Sequence, residues 1–296
     1  MDPGSLPVDE LLASFELHLR ALNRSPKTIL SYRLAVDQLM DHLGPKSAEQ
    51  ITKADIEGFL AHFLETRASA TARQRYASLS QFFKWAAAEG EIPTDPMETI
   101  SPPRVVEQPV PVLTVDQLRA LISATKGKSF EQVRDEAIIR LFADTGMRLG
   151  EMAGLDASDI DLSLAVAVVR GKGSRLRSVP FGDKTAAALD RYRRQRLRHQ
   201  LANLDAWWLG RKGSLGESGI AQMLKRRASD AQIGDLHPHM FRHSFAHQWL
   251  AAGGNEGDLQ RIAGWSSPQM LQRYGRSAAD QRAREAYRRN PLWGDL

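Results

Sequence analysis

The chain has 296 residues, 42% hydrophobic and 25% charged, with 22 Gly, 14 Pro and no Cys, a globular composition long enough for two domains. The absence of cysteine excludes a disulfide framework, a thiolate nucleophile and any zinc site that needs sulfur. The start, MDPGSLPVDELL, lacks the basic and apolar regions of a secretory leader, and no window approaches the roughly 20 apolar residues that span a bilayer. The expectation is a cytoplasmic protein without a membrane partner.

The formal net charge of +5 is unevenly spread. Residues 1–103 hold 10 Lys and Arg against 14 Asp and Glu, whereas residues 104–296 hold 30 against 21 and use Arg over Lys by 24 to 6. Arginine's planar fork matches two phosphate oxygens at once, so this half points to nucleic acid. A solvated basic surface would carry the same charge, so the motifs must decide.

Four helix-period stripes fill the first hundred residues. Leu11, Leu12, Phe15, Leu19 and Leu22 form the first, and Ser25-Pro26 supplies an N-cap and first-turn pair for the next helix. Ile29, Tyr32, Val36, Leu39 and Leu43 make the second, closed by Gly44-Pro45. Ile56, Phe59, Leu60, Phe63 and Leu64 make the third, and Tyr76, Leu79, Phe82, Phe83 and Ala86 the fourth, running to Gly90. Residues 1–101 therefore read as a four-helix domain. Residues 102–112 contain Pro102, Pro103, Pro109 and Pro111, which bars helix and central strand and leaves an extended linker.

The second domain spans residues 113–296. Thr114 with Gln117 is a capping box opening a helix through Leu118, Leu121 and Ile122, and another helix crosses Ala137, Ile138, Leu141 and Phe142. Residues 164–181 hold the one convincing β signal, two β-favouring runs around Gly171-Lys172-Gly173-Ser174, a hairpin with lysine at or beside its tip. Helical segments follow near 186–201, 220–231, 241–252 and 259–262, with a basic tail helix over 278–289. The fold class is mainly α with a small β-sheet, a helical domain followed by an α+β domain.

Four stretches stand out: Thr145-Gly146-Met147-Arg148-Leu149-Gly150-Glu151, the Lys172 hairpin, His239-Met240-Phe241-Arg242-His243, and Gly264-Trp265 followed nine residues later by Tyr274. Each alone is weak, since an arginine after a glycine is usually a surface residue and a His-x-x-Arg pair often only caps or salt-bridges. In this order and spacing they resemble the catalytic domain of the tyrosine recombinases, the phage integrases and Xer-type resolvases, and the resemblance covers nearly the whole chain. It implies a core-site-binding helical domain followed by a catalytic domain. It makes Arg148 and Arg242 the catalytic arginines, Glu151 the acidic support, Lys172 the hairpin lysine, His239 the histidine of the His-x-x-Arg pair and Tyr274 the nucleophile. Trp265 stands where the family usually has a second histidine. An indole N–H donates to a phosphate oxygen but exchanges no proton, so Trp265 fits positioning and packing.

The implied reaction cuts and rejoins DNA through a 3′-phosphotyrosyl intermediate, in integration, excision or resolution, with no cofactor, metal or ATP. Its chemistry suits these residues. A phosphodiester gains negative charge in its pentacoordinate transition state, which Arg148 and Arg242 can clamp while His239 and Trp265 donate. The Tyr274 phenol, with an ordinary pKa of about 10, needs a base, for which His239 is the candidate. The departing 5′-oxygen needs a proton, which Lys172 can supply. The covalent intermediate keeps the energy of the broken diester, and the chain has no GxxxxGK[ST] loop. Asp156, Asp159 and Asp161 form the one carboxylate cluster that suggests a metal nuclease, but they lack a partner His or Glu at ligand spacing.

In the first domain, Lys27 and Arg33 on the second helix and Arg73, Arg75 and Lys84 on the fourth are candidate DNA contacts, although a solvated helix face reads the same way. The resemblance implies a double-stranded core site with inverted repeats of about 11 to 13 base pairs, one helical turn per protomer. It also implies a homodimer on each site and a tetramer in synapsis, with or without a paired recombinase. The first stripe begins near residue 11, leaving no room for the arm-binding domain of some integrases. Two other readings share these residues: a DNA-binding regulator without chemistry, and a type IB topoisomerase. A covalent protein–DNA adduct separates the first from an enzyme, and the separate helical domain and small size argue against the second.

Overall fold

The computed structural model describes residues 6–105, 111–171, 176–265 and 287–288. The chain divides into two units, Met1–Gln108 and Pro109–Leu296. No helix among the described residues is long and apolar enough to cross a membrane.

The first unit is built from α1 (Val8–Ala21), α2 (Pro26–Leu43), α3 (Lys53–Thr66) and α4 (Ser69–Ala88). Ser25 caps α2 by accepting the Thr28 N–H at 3.2 Å with Pro26 at the first position, and Gly44 ends the helix at φ 73°. Leu12, Phe15, Leu39, Ile56, Phe59, Leu79, Phe82 and Phe83 form the core. Leu22 and Leu64, which periodicity assigned to the stripes, are exposed. Leu22 lies past the last turn of α1, and Leu64 follows the buried Phe63 on the rim of α3. After α4 the chain buries Ile92, Met97 and Ile100 without regular structure, and Tyr76 Oη donates to the Ile100 carbonyl.

The second unit opens with α5 (Val115–Ser123), capped by reciprocal Thr114–Gln117 bonds. Then come α6 (Phe130–Thr145), the short α7 (Leu149–Ala153), a three-stranded antiparallel sheet, α8 (Asp183–Arg196), α9 (Glu217–Asp230), α10 (Pro238–Ala251) and α11 (Glu256–Ala263). The sheet order is β1 (Ile160–Asp161), β2 (Val166–Arg170), β3 (Leu176–Pro180), with Val166 opposite Pro180 and Arg170 opposite Leu176. The hairpin read from the two β-favouring runs is thus joined by a two-residue edge strand too short to give a pattern of its own. Lys172 and the tail helix, apart from Tyr287 and Arg288, lie outside the described residues.

Helix α6 is the axis of this unit and packs on α5, α8, α10 and β3. Ala137, Ile138, Ile139, Leu141 and Phe142 are wholly buried, and Phe142 stacks on Phe241 of α10 at 5.4 Å. Near its start Asp135, also wholly buried, accepts from Arg134 at 2.7 Å and from Arg227 at 2.8 Å. A smaller apolar cluster of Ala246, Leu250, Leu259, Ala263 and Trp265 joins α10 to α11 and so fixes where α11 ends.

Candidate active site

The C-terminal end of α6 makes the first wall. Gly146 takes the left-handed conformation at φ 57°, and a Cβ there would stand 2.7 Å from Phe245 Cδ1, so both backbone and packing call for glycine. The turn delivers Arg148 as the N-cap of α7. Three residues on, Glu151 accepts the Arg148 backbone N–H at 2.8 Å and Arg148 Nη1 at 2.9 Å. The arginine side chain stays about one-third open to solvent, at 37% exposure.

Helix α10 makes the second wall, starting at Pro238 with His237 as its cap. His239 in the first turn is exposed, while Arg242, a turn further on, is almost fully buried. Arg242 Nη1 donates to the Gly146 carbonyl at 3.0 Å and Nη2 to the Ala263 carbonyl at 2.6 Å, and its guanidinium lies 5.2 Å from the centre of the Trp265 ring. One side chain thereby links the glycine turn before Arg148 to the last turn of α11. Partial desolvation of its ring by the surrounding protein, and then the charges of His237, Arg242 and Arg148, hold the His239 pKa below its ordinary 6.5, which favours the neutral imidazole.

The third wall is the end of α11, where Gly264 turns the chain at φ 63° into the buried Trp265. Arg148 Nη2 reaches the Gly264 carbonyl at 3.4 Å. Arg177 of β3, which sequence reasoning did not single out, stands between this turn and Glu151. Its Nη1 and Nη2 donate to the two Glu151 oxygens at 2.8 Å each, and its Nε donates to the Ile262 carbonyl at 2.8 Å. A signal for it exists in the sequence. Arg177 shares a strand face with the wholly buried Val179, and an arginine at an inward strand position demands a buried acceptor. Burial pushes the Glu151 carboxyl upward, but the Arg177 hydrogen bonds, the Arg148 N–H and the two guanidinium charges outweigh it and bring its pKa down to about 2.

Arg148, Glu151, His239, Arg242 and Trp265 are therefore gathered by three chain segments far apart in sequence, while Lys172 and Tyr274 lie outside the described residues. The aspartates of the carboxylate cluster have local work. Asp159 accepts the Asp156 N–H, Arg170 lies within 3.6–3.7 Å of both, and Asp161 closes the turn to Ser163 and Leu164. Among the described residues no three His, Asp or Glu side chains are grouped to hold a metal.

In the first unit Lys27, Arg73 and Lys84 are exposed. Arg33 is exposed but donates to the buried Glu16 at 2.6 Å. Arg75 departs from the expectation of a DNA contact: it is 7% exposed and its Nε donates to Gln38 at 2.6 Å. Its position on α4 faces α2, so its head is used between helices.

Residues 111–281 match the family model described as "Phage integrase family", and residues 11–90 match "Phage integrase, N-terminal SAM-like domain". The tyrosine recombinase XerC of Roseiflexus sp. (strain RS-1) is 33% identical over 262 residues, covering 85% of this chain and 84% of that protein. The crystal structure of XerA recombinase is 27% identical with a TM-score of 0.54, over 95% of this chain and 98% of the other. The fold is shared with a lambda integrase tetramer bound to a Holliday junction at 18% identity and a TM-score of 0.72, covering 90% of this chain and 79% of that one. The family match over more than half the chain and the third of residues shared with XerC agree with the three-walled site, and the chain belongs to the phage integrase family, as a tyrosine-type site-specific recombinase.

Proposed function

We propose that this recombinase acts on a double-stranded core site through the residues gathered at the three-walled site, with Lys172 and Tyr274 completing it. The observation that carries the assignment is the linkage of Arg148, Arg242 and Trp265 through the Gly146, Ala263 and Gly264 carbonyls, beside an exposed His239. The two guanidinium groups form a fixed positive field for a phosphate that gains charge as it becomes pentacoordinate. Tyr274 Oη attacks phosphorus and gives its proton to neutral His239. The bond from phosphorus to the 5′-oxygen breaks, and Lys172 protonates the departing oxygen, leaving a 3′-phosphotyrosine and a 5′-hydroxyl. Attack by a second 5′-hydroxyl reverses each step and restores the diester without ATP.

Arg148, Arg242 and Lys172 supply the positive charge, so the step takes no metal ion. The first unit contributes core-site contacts through Lys27, Arg73 and Lys84, which are free of the packing that holds Arg75. Dimers on one site and tetramers across two follow from strand exchange between paired sites, the state in which the lambda integrase neighbour was captured on its junction. The test is Tyr274→Phe, which deletes the attacking oxygen and leaves every phosphate-binding cation in place. The variant is expected to bind its site as the parent chain does and to form no covalent adduct on nicked DNA. An adduct formed by the Phe variant would move the nucleophile to Tyr32, Tyr76, Tyr192 or Tyr287.

A further inference from the structure

The bonds of Arg177 run to the neighbours of the reacting groups: both oxygens of Glu151 and the carbonyl of Ile262. Those bonds cross 26 and 85 residues of sequence. Its guanidinium also fills the space beside Gly264, where a Cβ would stand 2.9 Å from Arg177 Cζ. The side chain is 14% exposed, so a charge has been buried at an inward strand position where an apolar residue would pack at no desolvation cost.

The Glu151 carboxylate is shared. Arg177 takes both oxygens, and Arg148 Nη1 takes one of them from the side open to solvent. Satisfied by the fork of Arg177, the carboxylate orients Arg148 without holding its whole guanidinium. Deprived of that fork it is a buried anion whose nearest cation is Arg148, and it competes with the phosphate for that cation. From this geometry we infer that Arg177 is a positioning residue for strand cleavage: it ties β3 to Glu151 and to the α11 turn, and keeps Arg148 available to the scissile phosphate.

The inference rests on the recombinase reading of the same site, and the experiment separates the two. The full chain selects a binding duplex from a random-sequence pool, and a nicked form of that duplex reports the single-turnover rate of adduct formation. An adduct with the parent chain that is lost in Tyr274→Phe upholds the reading, and its absence in the parent overturns the reading and the inference together. Arg177→Gln and Arg177→Lys are then compared, the second keeping the charge but not the fork. Both are expected to slow cleavage about 100-fold, the scale on which a misplaced catalytic group acts, with the dissociation constant for the duplex unchanged. Adding Arg177→Gln to Arg148→Lys is expected to cost little more than Arg148→Lys alone, because both act through one guanidinium. Full-rate Arg177 variants, penalties that multiply in the double variant, or a loss of DNA affinity that tracks the rate in both Arg177 variants would each overturn the inference.

Discussion

Replacing Glu151 by Gln keeps the shape of the side chain and removes its charge. The carboxylate is 5% exposed, so solvent screening discounts its interactions little. A pKa brought from the ordinary 4.5 to about 2 corresponds to roughly 3 kcal/mol of stabilisation at neutral pH, at about 1.4 kcal/mol per pK unit. Because the folded pKa lies below the unfolded one, this contribution is complete above pH 4.5 and is lost as pH falls toward 2. For a unit of this size about 3 kcal/mol is a fall of roughly 6–12 °C in Tm. Thermal unfolding followed by tryptophan fluorescence reads it, since five of the six tryptophans belong to the second unit. The gap between parent and Glu151→Gln is expected to stay constant from neutral pH to about pH 5 and to shrink toward half by about pH 3.5. A gap under about 0.5 kcal/mol at neutral pH, or one that closes between pH 7 and 6, refutes the reasoning; the second result would transfer the titration to a histidine.

Cleavage itself should follow His239. With its pKa held below 6.5, the neutral base persists on the acid side of that value. The acid limb of the rate profile is expected below pH 6.5, and Arg148→Ala, which removes one opposing charge, should move it upward; a limb at or above pH 6.5 in the parent chain argues against His239 as the base. The same shift costs stability as pH drops below 6.5, because the unfolded chain binds the proton more tightly. Lys172→Ala should impair cleavage of a normal 5′-oxygen far more than that of a 5′-bridging sulfur, since a thiolate leaves without protonation, and equal losses on the two substrates would remove Lys172 as the acid.

The parts of the fold legible in the amino-acid sequence are those fixed by short-range chemistry. Ser25-Pro26, Thr114 with Gln117 and the two β-favouring runs within residues 164–181 each state a local geometry, and the two caps and the strand pairing are present. The buried Ile92, Met97 and Ile100 were not legible, because their burial depends on the bundle they cover and carries no period. Arg75 shows the opposite failure: a basic residue on a helix looks solvated until the helix opposite supplies Gln38. At the site, the motifs named the residues but not their links. The bonds from Arg242 to Gly146 and Ala263 cross 96 and 21 residues, and a linear pattern holds no record of such pairings. Arg177 sits between these cases, since its strand position implies a buried acceptor without saying which, and the sequence reading passed over it.

Helix α6 also has a mechanical meaning. Between Glu131 and Asp144 none of its residues is exposed. It therefore cannot slide or tilt without unseating neighbours on every side, as close-packed interiors transmit displacement rather than absorb it. Its 16 residues make a rod of about 24 Å, moored near one end by Asp135 among its arginines and carrying at the other the turn that presents Arg148. The cleavage chemistry is thus referenced to a fixed datum deep in the unit, and surfaces that read different DNA sequences can diversify around it while the reacting geometry stays in register.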